Sequence, residues 1–199
     1  MEVYAAQISA MDRAIGGVVE KLKQIGAFDN TLILFLADNG GCAENLGPQA
    51  KGLHIPTVTL DGRPVKVGND PAEMPGQDDD YQSYGPPWAN ASNTPFRLYK
   101  HWVHEGGISS PLIAHWPKGL DTSGEWTDEP SHLIDIMATC VDLGGATYPT
   151  ERQGAAVTPA EGRSLKAHFR GETPTPDRTI YWEHEGNRAV RQGKWKIVS

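Results

Sequence analysis

Two short segments of the chain carry side chains that could bind a cation and an anion. The first, Asp38-Asn39-Gly40-Gly41, sets a carboxylate beside an amide carbonyl, and both are hard oxygen donors of the kind that Ca²⁺ or Mg²⁺ prefers. The two glycines let the backbone fold closely around a guest. Two ligands fall short of the roughly 6–8 oxygens around Ca²⁺, and Asp-Asn-Gly is also common turn chemistry, so a plain turn is the simpler interpretation of this segment alone.

The second segment, 93–107, concentrates cationic side chains just before a glycine pair. Lys100, His101 and His104 lie close together in sequence, and Glu105 could hold one of them. A lysine in such a place suits a sulfate or phosphate group, as a point charge on its oxygens. The alternative is a solvated amphipathic segment whose aromatic side chains only pack, and the residues alone favour that alternative.

Regular elements must position both segments. Residues 31–37 are almost wholly apolar, which is typical of a strand buried on both faces in the middle of a parallel sheet. Apolar residues at steps of three and four predict a helix over 4–25 before it. Ligands of open α/β sheets bind outside the carboxyl ends of strands, which is where 38–41 would lie. The sequence therefore predicts an α/β protein.

The rest of the chain predicts longer connections and a second, smaller sheet. Residues 41–95 hold eight of the 15 prolines and predict a long loop with one hairpin around Asp61-Gly62. Cys140 is expected on the buried face of a helix. The further predicted elements are a strand over 111–116, a helix over 131–143, and antiparallel strands over 179–185 and 188–198.

Composition excludes several classes of protein. With 38% hydrophobic residues in 199, the chain is not disordered throughout, and no apolar run approaches the roughly 18 residues of a membrane-spanning helix. A formal charge of −7 argues against a general nucleic-acid binder. Two cysteines cannot form a disulfide-rich framework.

Taken together, the two segments resemble the sulfatase family, and more narrowly the bacterial arylsulfatases of the alkaline phosphatase superfamily. The resemblance rests on Asp38-Asn39-Gly40 after an apolar strand and on Lys100-x-x-x-x-Glu105-Gly106-Gly107 before Ile108-Ser109-Ser110-Pro111. Met11-Asp12, Asp29-Asn30-Thr31 and the segments 132–139 and 181–191 also resemble that family.

The resemblance implies an alkaline-phosphatase-like sulfatase fold, with part of a central mixed sheet, flanking helices and a small C-terminal antiparallel sheet. Residues 1–145 would be the C-terminal part of the catalytic domain, with the long loop at 41–95. Residues 146–199 would begin a small C-terminal subdomain that is truncated here. We therefore expect a C-terminal fragment.

The family resemblance also implies roles for particular residues. Asp38 and Asn39 would be the later pair of ligands for a metal, Ca²⁺ in preference to Mg²⁺, and Lys100 would contact the sulfate oxygens. His184 is a candidate catalytic residue and His101 a candidate substrate-binding residue, while His104 is expected to be a packed or surface histidine. The implied base that accepts a proton when sulfate is expelled would be a histidine outside this chain.

The family's nucleophile is a formylglycine made from the first residue of Cys/Ser-x-Pro-x-Arg. Neither Cys42 nor Cys140 begins that motif, and the Ser109-x-Pro111 sequence has Ile113 where the arginine is required. The formylglycine is therefore expected upstream, and the 199-residue chain alone is expected to be inactive. Nothing like a signal peptide follows Met1. Analogy with exported members of such families suggests a periplasmic or secreted full-length protein, and the compartment stays open.

The predicted function is hydrolysis of sulfuric esters, on a small-molecule or carbohydrate sulfate, with no nucleic-acid partner and no membrane span. Two alternatives stay open. One is a phosphodiesterase or phosphonate hydrolase of the same superfamily, and the other is a non-catalytic module that binds sulfate or glycans. The oligomeric state is not indicated by the residues.

Overall fold

The computed structural model describes residues 2–48, 50–52, 54–122, 124–172 and 178–199. The helices are α1 (Glu2–Gln24), α2 (Gly85–Ser92), α3 (Glu105–Ile108), α4 (Ile134–Leu143) and α5 (Lys166–Phe169). The strands are β1 (Ile33–Leu36), β2 (Lys66–Val67), β3 (Asp80–Tyr81), β4 (Leu112–His115), β5 (Glu151–Arg152), β6 (Ala155–Ala156), β7 (Thr179–His184), β8 (Asn187–Gln192) and β9 (Trp195–Val198). The described chain is thus mixed α/β with several small sheets.

Strands β1 and β4 flank the two candidate segments: 38–41 follows β1, and 93–107 precedes β4. They pair with each other in an antiparallel two-stranded sheet, in which Leu36 lies opposite Leu112. The expectation of a strand inside a parallel sheet is therefore wrong for the described residues. Phe35 is 44% exposed and Ile113 is 59% exposed, so one face of this sheet is open. An apolar run indicates a strand, but it carries no information about the direction of its partner.

Helix α1 confirms the predicted helix at the amino end. Its apolar stripe exists, but within Glu2–Gln24, all of which is described, no residue is buried. Val18, for example, is 62% exposed. At its start, the ring of Tyr4 stacks on that of Tyr84 with centroids 5.2 Å apart. The periodicity located the helix correctly, although its apolar face is open in the described chain.

The long connection 41–95 contains more structure than predicted. The predicted hairpin is present, with the Thr59 amide donating to the Arg63 carbonyl at 2.9 Å and Gly62 at φ +87° in its turn. β2 and β3 then pair in parallel, and α2 follows. Proline near the start of α2 suits a first helical turn, whose amide groups have no partner within the helix.

Helix α4 buries a polar face. Asp135 and Thr139, one turn apart, are buried, whereas Cys140 is exposed. The expectation that Cys140 lies in the core is therefore wrong. The hydroxyl of Thr139 donates to the Asp135 carbonyl at 2.7 Å and accepts from the Leu165 amide at 2.9 Å, which ties α4 to the segment before α5. These bonds cross the predicted boundary between residues 145 and 146.

The C-terminal sheet has three antiparallel strands in the order β7-β8-β9. The predicted strand over 188–198 is in fact two strands, because the chain reverses at Gly193, which has φ +53°. Glycine adopts this left-handed conformation without steric cost. Ile180 and Ala189 are buried on the inner face of the sheet. Among the described residues, α1 and the other helices are all too short or too polar to cross a bilayer.

Candidate functional site

The two segments that were predicted to do chemistry lie side by side. The Gly40 amide donates to the Gly107 carbonyl at 2.9 Å, and the Lys100 amide donates to the Gly41 carbonyl at 3.0 Å. These main-chain bonds join a loop that follows β1 to a loop that precedes β4. Because β1 and β4 are antiparallel neighbours, the loop after β1 and the loop before β4 lie at the same end of the sheet.

Asn93 locks the two loops together through its side chain. Its Oδ1 accepts a hydrogen bond from the Gly41 amide at 2.9 Å, and its Nδ2 donates to the Leu98 carbonyl at 2.9 Å. Asn93 is partly buried, so both bonds are shielded from water. Sequence reasoning did not give this residue a role, and its position at the head of the second segment was the available signal.

Glycines make this close approach possible. A Cβ atom at Gly40 would overlap the carbonyl oxygen of Gly106, and one at Gly107 would overlap the carbonyl oxygen of Trp102. Gly106 and Gly107 are themselves buried. The backbones therefore pack at a distance that no side chain permits, in line with the role expected of the glycine pair.

Lys100 projects from this interlocked backbone and forms an ion pair. Its Nζ lies 3.3 Å from Oε1 of Glu44, and the two side chains are 44% and 65% exposed. The pKa of Lys100 is raised, first by the hydrogen bond to Glu44 and also by the negative charges of Glu44 and Asp38. A hydrogen bond from Cys42 and the contact with Lys100 lower the pKa of Glu44. Lys100 is therefore a stable cation that remains accessible from solvent.

Asp38 and Asn39 present oxygen atoms that protein groups leave free. Asp38 is exposed and Asn39 is half-buried, and the Asn39 Nδ2 donates to the Gly40 carbonyl at 2.8 Å. Within the described part of the chain, neither the Asp38 carboxylate nor the Asn39 Oδ1 accepts a hydrogen bond. Two hard oxygen donors without competing partners fit a Ca²⁺ ligand pair. The Asp38 charge also contributes, as a minor cause, to the raised pKa of Lys100.

His101 and His184, which come from distant parts of the sequence, also meet. Their ring centroids are 5.5 Å apart with an edge-to-face angle of 79°, and Nδ1 of His101 lies 3.1 Å from Oε2 of Glu185. His104 behaves differently. Its Nδ1 is buried without a hydrogen-bond partner among the described residues, and burial is the main cause that lowers its pKa. His104 is packed, as expected.

The C-terminal sheet braces the second segment. Glu105, at the start of α3, accepts a hydrogen bond from Nζ of Lys196 at 2.5 Å and lies 4.0 Å from Nη1 of Arg191. The Lys196 ammonium also sits 5.3 Å from the ring centroid of Trp182. Glu105 does hold a cation, but the cation comes from β9 and not from its own segment.

This arrangement has the parts of a metal-assisted enzyme acting on a charged ester: free oxygen donors for a cation, an exposed lysine for an anion, and glycine-packed loops at a sheet edge. The chain belongs to the sulfatase family. The Sulfatase family model matches residues 1–146, and this range contains both segments of the site.

Individual relatives agree with the family match. The chain is 36% identical over 201 aligned residues to an uncharacterized sulfatase of Schizosaccharomyces pombe. This alignment covers 100% of this chain and 35% of that protein. It is 31% identical over 184 residues to an arylsulfatase of Klebsiella aerogenes, covering 86% of this chain and 37% of the relative. A steryl-sulfatase of Mus musculus matches at 24% identity over 192 residues, 96% of this chain and 24% of the relative. The chain thus spans about a third of the length of the first two relatives and about a quarter of the third.

Proposed function

We propose that this chain is part of a sulfuric ester hydrolase of arylsulfatase type, with Lys100 and Asp38 in its active site. The observation that carries the proposal is the main-chain interlock, by which we mean the hydrogen bonds from Gly40 to Gly107 and from Lys100 to Gly41. These bonds hold the Lys100 loop against the Asp38 loop, inside the range matched by the sulfatase model. The relatives named arylsulfatase and steryl-sulfatase support a sulfate ester as the substrate class.

Lys100 would bind the nonbridging oxygens of the sulfate group. A sulfate ester already carries negative charge, so its cleavage requires fixed positive charge at those oxygens. The raised pKa of Lys100 keeps the ammonium charged at neutral pH. Glu44 orients the ammonium in the absence of substrate, and because the pair is exposed, an incoming sulfate can replace the carboxylate.

Asp38 and Asn39 would hold a Ca²⁺ ion, in preference to Mg²⁺, together with ligands from elsewhere in the protein. An ion held by these two side chains would supply positive charge for the sulfate group and for the nucleophile. The hydrogen bond from Asn39 to Gly40 keeps the amide oriented with its oxygen free. Asp38 also provides a negative charge near Lys100, which favours the charged state of the lysine.

The remaining parts of the proposal follow from the family. The nucleophile would be a formylglycine contributed by sequence outside 1–199. His101 would contact the substrate and His184 would assist the leaving group, since His101 follows Lys100 in sequence and the exposed His184 ring lies 5.5 Å from the His101 ring. The substrate would be a small-molecule or carbohydrate sulfate ester.

The test is a comparison of ester classes by the full-length protein in the presence of Ca²⁺. We expect hydrolysis of 4-nitrophenyl sulfate to exceed that of bis(4-nitrophenyl) phosphate and of a phosphonate ester, and chelation of Ca²⁺ to reduce it. A preference for the phosphorus esters would assign the protein to the phosphodiesterase alternative. Sulfate binding without turnover of any ester would indicate a non-catalytic module and overturn the proposal.

A further inference from the structure

We propose that His101, His184 and Glu185 form a second metal site, for a transition-metal ion of the Zn²⁺ type, separate from the Asp38–Asn39 pair. One nitrogen from each imidazole and one carboxylate oxygen of Glu185 all lie within 4.8 Å of one another. Two histidines and one glutamate form a ligand set that zinc uses in enzymes. Asp38 and Asn39 offer oxygen alone, so the two sites differ in the ion that they favour.

One pair of ligand atoms in the cluster already has the spacing of a tetrahedral site. Zinc–ligand distances of about 2.0–2.1 Å place neighbouring ligand atoms about 3.3 Å apart. Nδ1 of His101 and Oε2 of Glu185 are already 3.1 Å apart. The rings of His101 and His184 are exposed, so both can adjust as an ion binds. Water would complete the coordination from the solvent side.

The backbone holds the ligands in fixed places. Glu185 and Gly186 form the two-residue turn between β7 and β8, with φ angles of +50° and +86°. Asn187 donates from Nδ2 to the His184 carbonyl at 3.1 Å, which closes the base of the turn. His101 also has a positive φ, +93°. Two non-glycine residues in this costly conformation, His101 and Glu185, therefore contact each other directly.

A partner for the outer nitrogen of His101 is present as well. Nε2 of His101 lies 3.4 Å from the side-chain amide of Asn187. Ligating histidines commonly use the second ring nitrogen in a hydrogen bond that fixes ring orientation and tautomer. With Nδ1 on the metal, Nε2 would carry the proton, so the Asn187 amide would have to turn to accept it and would exchange its bond to the His184 carbonyl for one to His101.

A metal ion at this site would link two parts of the chain. His101 immediately follows Lys100, and His184 and Glu185 lie at the tip of the C-terminal sheet. A metal ion shared by these residues would fasten the sheet to the loop that carries the sulfate-binding lysine. This inference is argued from the cluster itself; a metal held there would replace the roles proposed above for His101 and His184, while those of Lys100 and Asp38 in ester hydrolysis would be unaffected.

The test is a titration of the purified full-length protein, stripped of metal, with Zn²⁺ and with Co²⁺ as a spectroscopic substitute. We expect one ion to bind through this cluster and to raise the thermal unfolding temperature. His101→Ala, His184→Ala and Glu185→Gln should each weaken binding by about tenfold or more. His115→Ala, an exposed histidine on β4 away from the cluster, should leave binding unchanged.

Two further measurements distinguish metal binding by this cluster from binding by cysteine and from unfolding of the variants. The Co²⁺ complex should lack an intense sulfur-to-metal charge-transfer band and should persist in a Cys42→Ser, Cys140→Ser background, because both thiols are free and could bind metal themselves. Circular dichroism of each variant confirms that it is folded. Zn²⁺ binding that the three substitutions leave intact, or that disappears with the cysteines, would overturn the proposal.

Discussion

Asp38 and Asp135 are the same residue type in opposite settings. The Asp38 carboxylate is exposed and accepts no hydrogen bond within the described residues, whereas Asp135 is 1% exposed. The Asp135 carboxylate accepts hydrogen bonds from the amides of His132 and Arg163, each at 2.8 Å, and from Nη1 of Arg178 at 2.6 and 2.7 Å. The Asp135 carboxylate has all its partners within the fold, whereas the Asp38 oxygens are free for the metal proposed above.

The cations of the two regions differ in the same way. Arg178 is 15% exposed and binds Asp135 through one terminal nitrogen, while Lys100 shares a single exposed contact with Glu44. Burying one charged pair demands complete hydrogen bonding, because an unpaired buried charge is costly. An exposed pair is weak and exchanges readily with solvent or ligand. The comparison separates a structural region from a candidate active site, and each prediction below tests one side of it.

The largest effect should come from breaking the buried pair. Asp135→Asn removes the charge that balances Arg178, so the free energy of unfolding should fall by about 3–5 kcal/mol. Denaturation by urea, followed by circular dichroism, measures this change. Asp142→Asn, on the exposed side of the same helix, is the matched control and should have a far smaller effect. Equal losses in the two variants would remove the distinction between buried and exposed carboxylates.

Removing the free carboxylate should affect ion binding and not stability. Asp38→Ala should weaken Ca²⁺ binding by the full-length protein about tenfold, or about 1.4 kcal/mol, with the free energy of unfolding within about 0.5 kcal/mol of the parent. Isothermal titration calorimetry measures the affinity. Asp128→Ala, another exposed aspartate, should leave the affinity unchanged. Unchanged calcium affinity in Asp38→Ala would contradict its place in the metal site.

A smaller effect is expected from the partner of Lys100. Glu44→Gln removes a negative charge 3.3 Å from the ammonium, so inorganic sulfate should inhibit at a concentration about two- to fivefold lower. Since the pKa of Glu44 is lowered, the carboxylate is ionised across the neutral range and the effect should not vary with pH there. Inhibition constants from steady-state kinetics provide the measurement. Weaker inhibition by sulfate in Glu44→Gln would show that Glu44 supports the anion site instead of competing for it.

Sequence patterns predicted those features that local chemistry determines. Periodicity located α1, an apolar run located β1, and Asp38 and Lys100 stood in recognisable motifs. The direction of β1 relative to β4 was predicted wrongly because it depends on the path of the chain between them, which an apolar run does not record. The break at Gly193 had a local signal in the glycine itself.

Other features depend on contacts between distant residues and left little trace in the sequence. Cys140 was expected to be buried on hydrophobicity, but the inward face of α4 is set by Asp135 and its partners beyond residue 160. Glu44 and Asn93 acquire their roles only when two loops 50 residues apart come together. The main-chain hydrogen bonds between the two loops use backbone amides and carbonyls, so the glycines indicated a close approach but not which loops would meet.

The central claim is that Lys100 is a sulfate-binding group on a scaffold that does not need it for stability. The most direct measurement is the steady-state hydrolysis of 4-nitrophenyl sulfate by full-length Lys100→Ala, with its free energy of unfolding determined on the same sample and exposed Lys118→Ala as the control. Loss of a group that stabilises developing charge should lower kcat/KM by about 10²–10³-fold, with stability and the Lys118→Ala variant unaffected. Unchanged turnover in Lys100→Ala, at unchanged stability, would contradict the account.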